Sequence, residues 1–149
     1  MEKTNQMLTE QTLQNALQQL EKIVELNVQG EYHKTIEFGE PLLPFFQKMG
    51  KWSDLIVTRT NIFAAYCSLG QIERADKYTN DTLELGLNHL EKEDVAMGAI
   101  FEKLGWFYAM VHYDAFTALP YFEKALHIFK KANELLNISG NLGNLGYCC

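Results

Sequence analysis

The stretch Phe101–Phe129, FEKLGWFYAMVHYDAFTALPYFEKALHIF, orders its residues as large, small, aromatic, small, aromatic, small. Phe101 is followed by Leu104-Gly105 and then Tyr108; after a short polar interruption come Ala118, Phe122 and Ala125. Helical spacing puts each set on one face, so two helices can pack as a hairpin, backbones close at the small residues and rings filling the gaps beside them. The rest of the chain reads as weaker copies of this unit.

Going back to the start, apolar residues at Leu13, Ala16, Leu17, Leu20, Ile23, Val24 and Val28 form one helical stripe from about Leu8 to Gln29, with Thr9 as the expected N-cap and Gly30 as terminator. A second helix begins near Tyr32, and Gly39, Pro41 and Pro44 predict a bend or break at residues 39–44. Ser53 is the expected cap of a third helix ending at Gly70, with Ile56, Ile62, Phe63 and Tyr66 inward. A fourth runs from about Ile72 to His89 with Ala75, Tyr78, Leu83 and Leu87 on its apolar face. Asp94 caps a fifth, ending near Val111. For the sixth, Pro120 favours a start near Thr117 over one near Asp114, because its missing N–H then falls among first-turn donors that have no partner anyway. A last segment covers residues 134–149. No run alternates with period two, so the fold class is all-α.

The units repeat. Gly30 and Gly70 are 40 residues apart, Tyr66 and Tyr108 are 42, Ala75 and Ala118 are 43, and Leu104-Gly105 recurs 41 residues later as Leu145-Gly146. Agreement of four landmarks to within three residues separates a repeat array from a generic bundle. On these residues the chain resembles the tetratricopeptide repeat (TPR) family. Phe101, Leu104, Gly105, Tyr108, Ala118, Phe122 and Ala125 carry the likeness in the third unit. Ile62, Tyr66, Leu69, Gly70, Ala75 and Leu83 carry it in the second, where Phe63 replaces a small residue; Gly30, Tyr32 and Leu43 remain in the first, with Thr35 in place of alanine.

The likeness covers about residues 15–149 and implies a right-handed superhelical solenoid of antiparallel hairpins, about 3.5 repeats in one domain: about 8–50, 51–92, 93–133 and a partial 134–149. The period exceeds the usual ~34 residues, as in the long units of bacterial regulatory proteins and peptide sensors. Because residues 140–149, GNLGNLGYCC, look like the first helix of an incomplete unit, they lead us to expect a fragment of a longer protein or an open end covered by self-association.

In the TPR family the first helix of each unit lines the concave face and holds a peptide. The resemblance therefore assigns ligand contact to Asn61, Ala64 and Ser68, to Glu102, Lys103, Trp106 and Met110, and to Asn144. Asn61 and Asn144 would grip a peptide backbone, since an amide both donates and accepts; Trp106 and Met110 would supply an apolar pocket. Some TPR modules clamp a C-terminal carboxylate with Lys and Asn. Asn61 and Lys103 occupy two of those places, but Leu20, Val24 and Ala99 occupy others that need polar groups, so this activity is not expected.

Composition narrows the rest. Among 149 residues the net charge is −6 and the basic residues are scattered, which disfavours nucleic acid. No apolar run reaches signal-peptide or membrane-spanning length. Cys67, Cys148 and Cys149 lack metal-ligand spacing and read as free thiols of a reducing cytoplasm. His33, His89, His112 and His127 are dispersed; His89/Glu93 and Glu123/His127 lie one helical turn apart, but no Glu-x-x-His pair of the di-iron type occurs. No metal, cofactor or catalysis is expected. The expectation is a cytoplasmic, non-catalytic protein- or peptide-binding scaffold, such as the sensory part of a signalling regulator. The alternative is a homo-oligomerisation module joined through its open C-terminal end.

Overall fold

A computed structural model describes the backbone of residues 2–148 and every side chain among them except those of residues 2, 4–9 and 147. Cys149, read above as a free thiol, lies outside the described residues. The described chain is all-helical: α1 (Glu2–Val28), α2 (Tyr32–Gly39), α3 (Leu42–Lys48), α4 (Trp52–Ser68), α5 (Ile72–His89), α6 (Val95–Met110), α7 (Ala115–Ala132) and α8 (Leu135–Cys148). It divides into two compact units, residues 1–76 and 77–149, with the boundary inside α5.

In the first unit α2 packs against both α1 and α4, α1 also meets α4, and α3 lies on α4. A Cβ on Gly39 would stand 3.0 Å from Ile62 Cδ1 and 3.3 Å from Ile23 Cδ1, so the backbone of α2 is pressed by side chains of both neighbours. Ile23, Phe46, Leu55, Ile56 and Ile62 are buried around this contact. The buried hydroxyls keep hydrogen bonds: Thr35 Oγ1 donates to Glu31 O at 3.1 Å and Thr58 Oγ1 to Asp54 O at 2.7 Å, which avoids the cost of an unpaired buried polar group. The expected break falls between α2 and α3, at Glu40-Pro41.

In the second unit α7 packs against α6 and α8, and α6 also meets α8. Ala118 and Ala125 are fully buried, with Phe122 and Phe129 beside them. A Cβ on Gly105 would lie 2.8 Å from Phe122 Cδ1, and one on Gly98 only 2.6 Å from Phe129 Cε1. No other residue fits beneath these rings without displacing them.

Helix ends follow local chemistry. Gly30 (φ 80°) and Gly70 (φ 71°) hold left-handed turns, and Glu31 N and Gln71 N donate back to Leu26 O and Tyr66 O, both at 2.9 Å, closing Schellman-type caps. Asp94 Oδ1 accepts from Ala96 N at 2.8 Å, the expected cap of α6.

Five local expectations need correction. Thr9 lies inside α1, which begins earlier. Helix α4 starts at Trp52 with Lys51 at its N-cap, leaving Ser53 in the first turn. Helix α7 is capped by Asp114, whose Oδ1 accepts from Thr117 N at 3.0 Å, and not by Thr117; Ala118 N also bonds Asp114 O at 3.1 Å. These two bonds set the first turn ahead of Pro120, leaving the proline to cost one interior hydrogen bond. Val28 and Leu87, placed on apolar faces by periodicity, are exposed. Val28 sits where α1 turns off and Leu26 enters the core instead.

Candidate functional site

The residues singled out for ligand contact fall in both units. On α4, Asn61 and Ala64 are half-buried and Ser68 is exposed. Asn61 is tied into its own unit: its Nδ2 donates to Val57 O at 2.8 Å, and its Oδ1 accepts from Asn27 Nδ2 of α1 at 3.2 Å. One N–H and one lone pair remain for anything else. The side-chain Oδ1 of Asn27 is buried without a partner. Nearby, Tyr66 donates its hydroxyl to Glu40 Oε1 at 2.7 Å, and the Arg74 guanidinium stands 5.8 Å from its ring centroid.

On α6, Glu102, Lys103 and Trp106 are half-buried and Met110 is exposed. Glu102 turns toward α8: a Cβ on Gly140 would be 3.8 Å from Glu102 Oε1. Loss of hydration pushes the Glu102 carboxyl above its ordinary range, opposed only in part by Lys103. Asn144, half-buried, lies one turn along α8 from Gly140. Asn141 is fully buried with neither amide atom bonded, at a cost of about 1–3 kcal/mol.

The second unit also holds a groove that periodicity did not reveal. It measures about 610 Å³ and is lined by Leu87, Met97, Phe101, Pro120, Lys124 and Ile128, with Glu93, Glu123 and His127 at its rim. Phe101 of this lining belongs to a ring stack: Tyr121 meets both Phe101 (centroids 6.2 Å apart) and Tyr108 (5.7 Å, 5° between planes). Lys124 Nζ stands 5.4 Å from the Phe101 ring centroid. At the rim Glu93 pairs with Lys131 and faces His127 Nε2 at 3.9 Å; the Lys131 hydrogen bond holds its carboxyl below the usual range. The exposed Leu87 was the available sequence signal, but a regular apolar stripe gives no reason to leave one member outside.

No group of three His, Cys, Asp or Glu side chains among the described residues could hold a metal ion. Cys67 is buried and Cys148 half-buried. No helix of the described chain is long and apolar enough to cross a membrane. Comparison with protein-family models and with curated proteins found no match.

Proposed function

We propose that the chain is a non-catalytic protein- or peptide-binding module of TPR type, its hairpins stacked as a right-handed solenoid and its ligand held along the first helices α4, α6 and α8. The observation that carries this reading is a packing motif present in each unit. A second helix lies against two successive first helices that also meet each other: α2 against α1 and α4, and α7 against α6 and α8. Repetition of this three-helix motif is how a solenoid builds a continuous first-helix surface. Partly exposed Glu102, Lys103, Trp106 and Met110 on α6 are the side chains available to a ligand there. The role as sensor or scaffold of a bacterial regulator belongs to the same proposal and rests on the TPR resemblance; the cytoplasmic location rests on the cysteines and on the sequence having no apolar run of signal-peptide length.

Screening a peptide library by Trp106 fluorescence tests it, with Trp106→Ala and Asn61→Ala following up the hits. Saturable binding weakened by Trp106→Ala, with the melting temperature little changed, supports the reading. A chain that binds no peptide and forms a tight dimer burying Asn61 and Trp106 replaces it with homo-oligomerisation.

A further inference from the structure

The groove under Leu87 combines an apolar floor with uncompensated cations. Its lining lies wholly within the second unit and shares no residue with the stripe Glu102, Lys103, Trp106 and Met110. Met97 and Ile128 are buried beneath it, Phe101 is half-buried, and Leu87 is 64% exposed. Its volume of about 610 Å³ falls within the range of clefts, roughly 300–1,000 Å³, that hold a small molecule. Such clefts join a mostly apolar lining to a few polar groups that orient the ligand.

Helix α7 lays a basic stripe along this groove. Lys124, His127 and Lys131 follow Pro120 at helical spacing and share its face. The later part of the stripe is occupied: Lys131 pairs with Glu93, and His127 Nε2 faces the same carboxylate at 3.9 Å. The earlier part is not. Neither Lys124 nor Lys92 has a carboxylate within 4 Å among the described residues. The Lys124 ammonium stands instead 5.4 Å from the Phe101 ring centroid and 5.8 Å from that of Tyr121. Of the two acids in the lining, Glu93 is matched inside the protein, and exposed Glu123 falls on the flank of the stripe. Groove and rim thus set Lys92, Lys124 and Lys131 against Glu93 and Glu123, with His127 beside them.

We infer that the groove binds a small amphipathic carboxylate, its apolar body on Met97, Phe101 and Leu87 and its carboxylate at Lys124, with Lys92 as the second cation of the rim. The pairing of Glu93 with Lys131 is the pattern within the chain: a carboxylate on a cation of the same stripe, about two turns from Lys124. Leu87, left outside by its own helix, becomes buried when the apolar body lies against it. A cationic ligand would meet the Lys124 ammonium where its head must sit. A protein helix is a poor occupant, because a stable protein interface takes about 20–30 residues a side. Here Lys92, Glu93, Glu123 and His127 bound the apolar lining. The inference goes beyond the proposed peptide-binding face and names a separate site.

Calorimetric titration of the full chain with decanoate, decanol and decyltrimethylammonium, all at submicellar concentration, tests this. The expected result is saturable one-to-one binding of decanoate, at least about fivefold tighter than either of the other two. Lys124→Gln should remove that preference while leaving decanol binding unchanged. Leu87→Glu, which sets a second carboxylate in the groove, should abolish decanoate binding. Both residues are exposed, so both variants should keep the parent melting temperature. Absence of saturable decanoate binding overturns the inference. Equal affinity for the three compounds, or decanoate binding that survives both variants, overturns it as well, since either describes an unspecific apolar surface. Trp106→Ala, on the proposed peptide face, should leave decanoate binding unchanged; a loss there would move the site to that face and overturn the groove.

Discussion

Helices α6 and α8 share a Leu-Gly step, 104–105 in one and 145–146 in the other, yet their glycines stand in opposite surroundings. In α6 a ring of α7 presses to within 2.8 Å of where a Gly105 Cβ would be, whereas around Gly146 there is no atom within 4 Å. A glycine inside a helix costs about 1 kcal/mol relative to alanine. At Gly98 and Gly105 that cost is offset by burying Phe129 and Phe122 against bare backbone. At Gly143 and Gly146 nothing among the described residues offsets it. A contrast also holds on the side of each helix roughly opposite the glycines: the α6 residue Ile100 is buried, and its counterpart 41 residues on, Asn141, is buried with its amide unpaired. A repeated sequence step is therefore an interface only where a second helix arrives to use it.

The largest expected effect attacks the filled side. Gly105→Leu should destabilise the second unit by about 3 kcal/mol or more, since several added carbons must displace Phe122; an unchanged denaturant midpoint would mean that the α6–α7 register is wrong. Next comes a stabilisation. Asn141→Leu should gain about 1 kcal/mol, the removal of an unsatisfied buried amide exceeding the cost of fitting two larger methyl groups in its place, measured by chemical denaturation, and a loss of several kcal/mol would reveal a partner for that amide.

Smaller effects sharpen the glycine contrast. Gly98→Ala should cost about 1–2 kcal/mol, the clash with the rigid Phe129 ring exceeding the gain in helix propensity. Gly86→Ala should be close to neutral, because the atoms in its way, Ile100 Cδ1 at 2.6 Å and Met97 Sδ at 2.7 Å, are ends of flexible side chains. On α8 the sign should reverse, with Gly146→Ala stabilising by about 1 kcal/mol. Equal responses at positions 98 and 146 would erase the distinction between a covered and an open helix.

The smallest effect is a pH dependence. Dehydration raises the Glu102 carboxyl, so in the interval between its ordinary and raised values the folded chain binds more protons than the unfolded chain. Stability from this group therefore falls as pH climbs through that interval. Glu102→Gln should raise the melting temperature slightly at neutral pH, and the difference should vanish below the ordinary glutamate range. A difference that persisted in acid would locate the effect in packing.

Much of the local architecture was legible before any coordinates. Gly30 and Gly70 could be read as helix ends because glycine alone enters the left-handed turn cheaply, and both do. Asp94 could be read as a cap because its short carboxylate reaches the free first-turn N–H groups. Asp114 is the alternative cap that Pro120 argues against locally, and the Asp114 bond to Thr117 N outweighs that argument. Of the site, the candidate residues on α6 came from the TPR resemblance, with which their helical spacing agrees. The Asn27–Asn61 bond, across 34 residues, and the groove beneath Leu87 were not.

Periodicity, caps and small-to-large order come from each residue's own geometry and its neighbours one turn away, so the helices, the glycine-closed ends of α1 and α4, the Asp94 cap and the Phe-over-Gly hairpin at α6 and α7 follow from the amino acids alone. Which faces stay uncovered depends on which helix comes to rest on which, a sum of contacts between residues distant in sequence. That is why Leu87, Leu142 and Gly146 are exposed while Asn141 is buried.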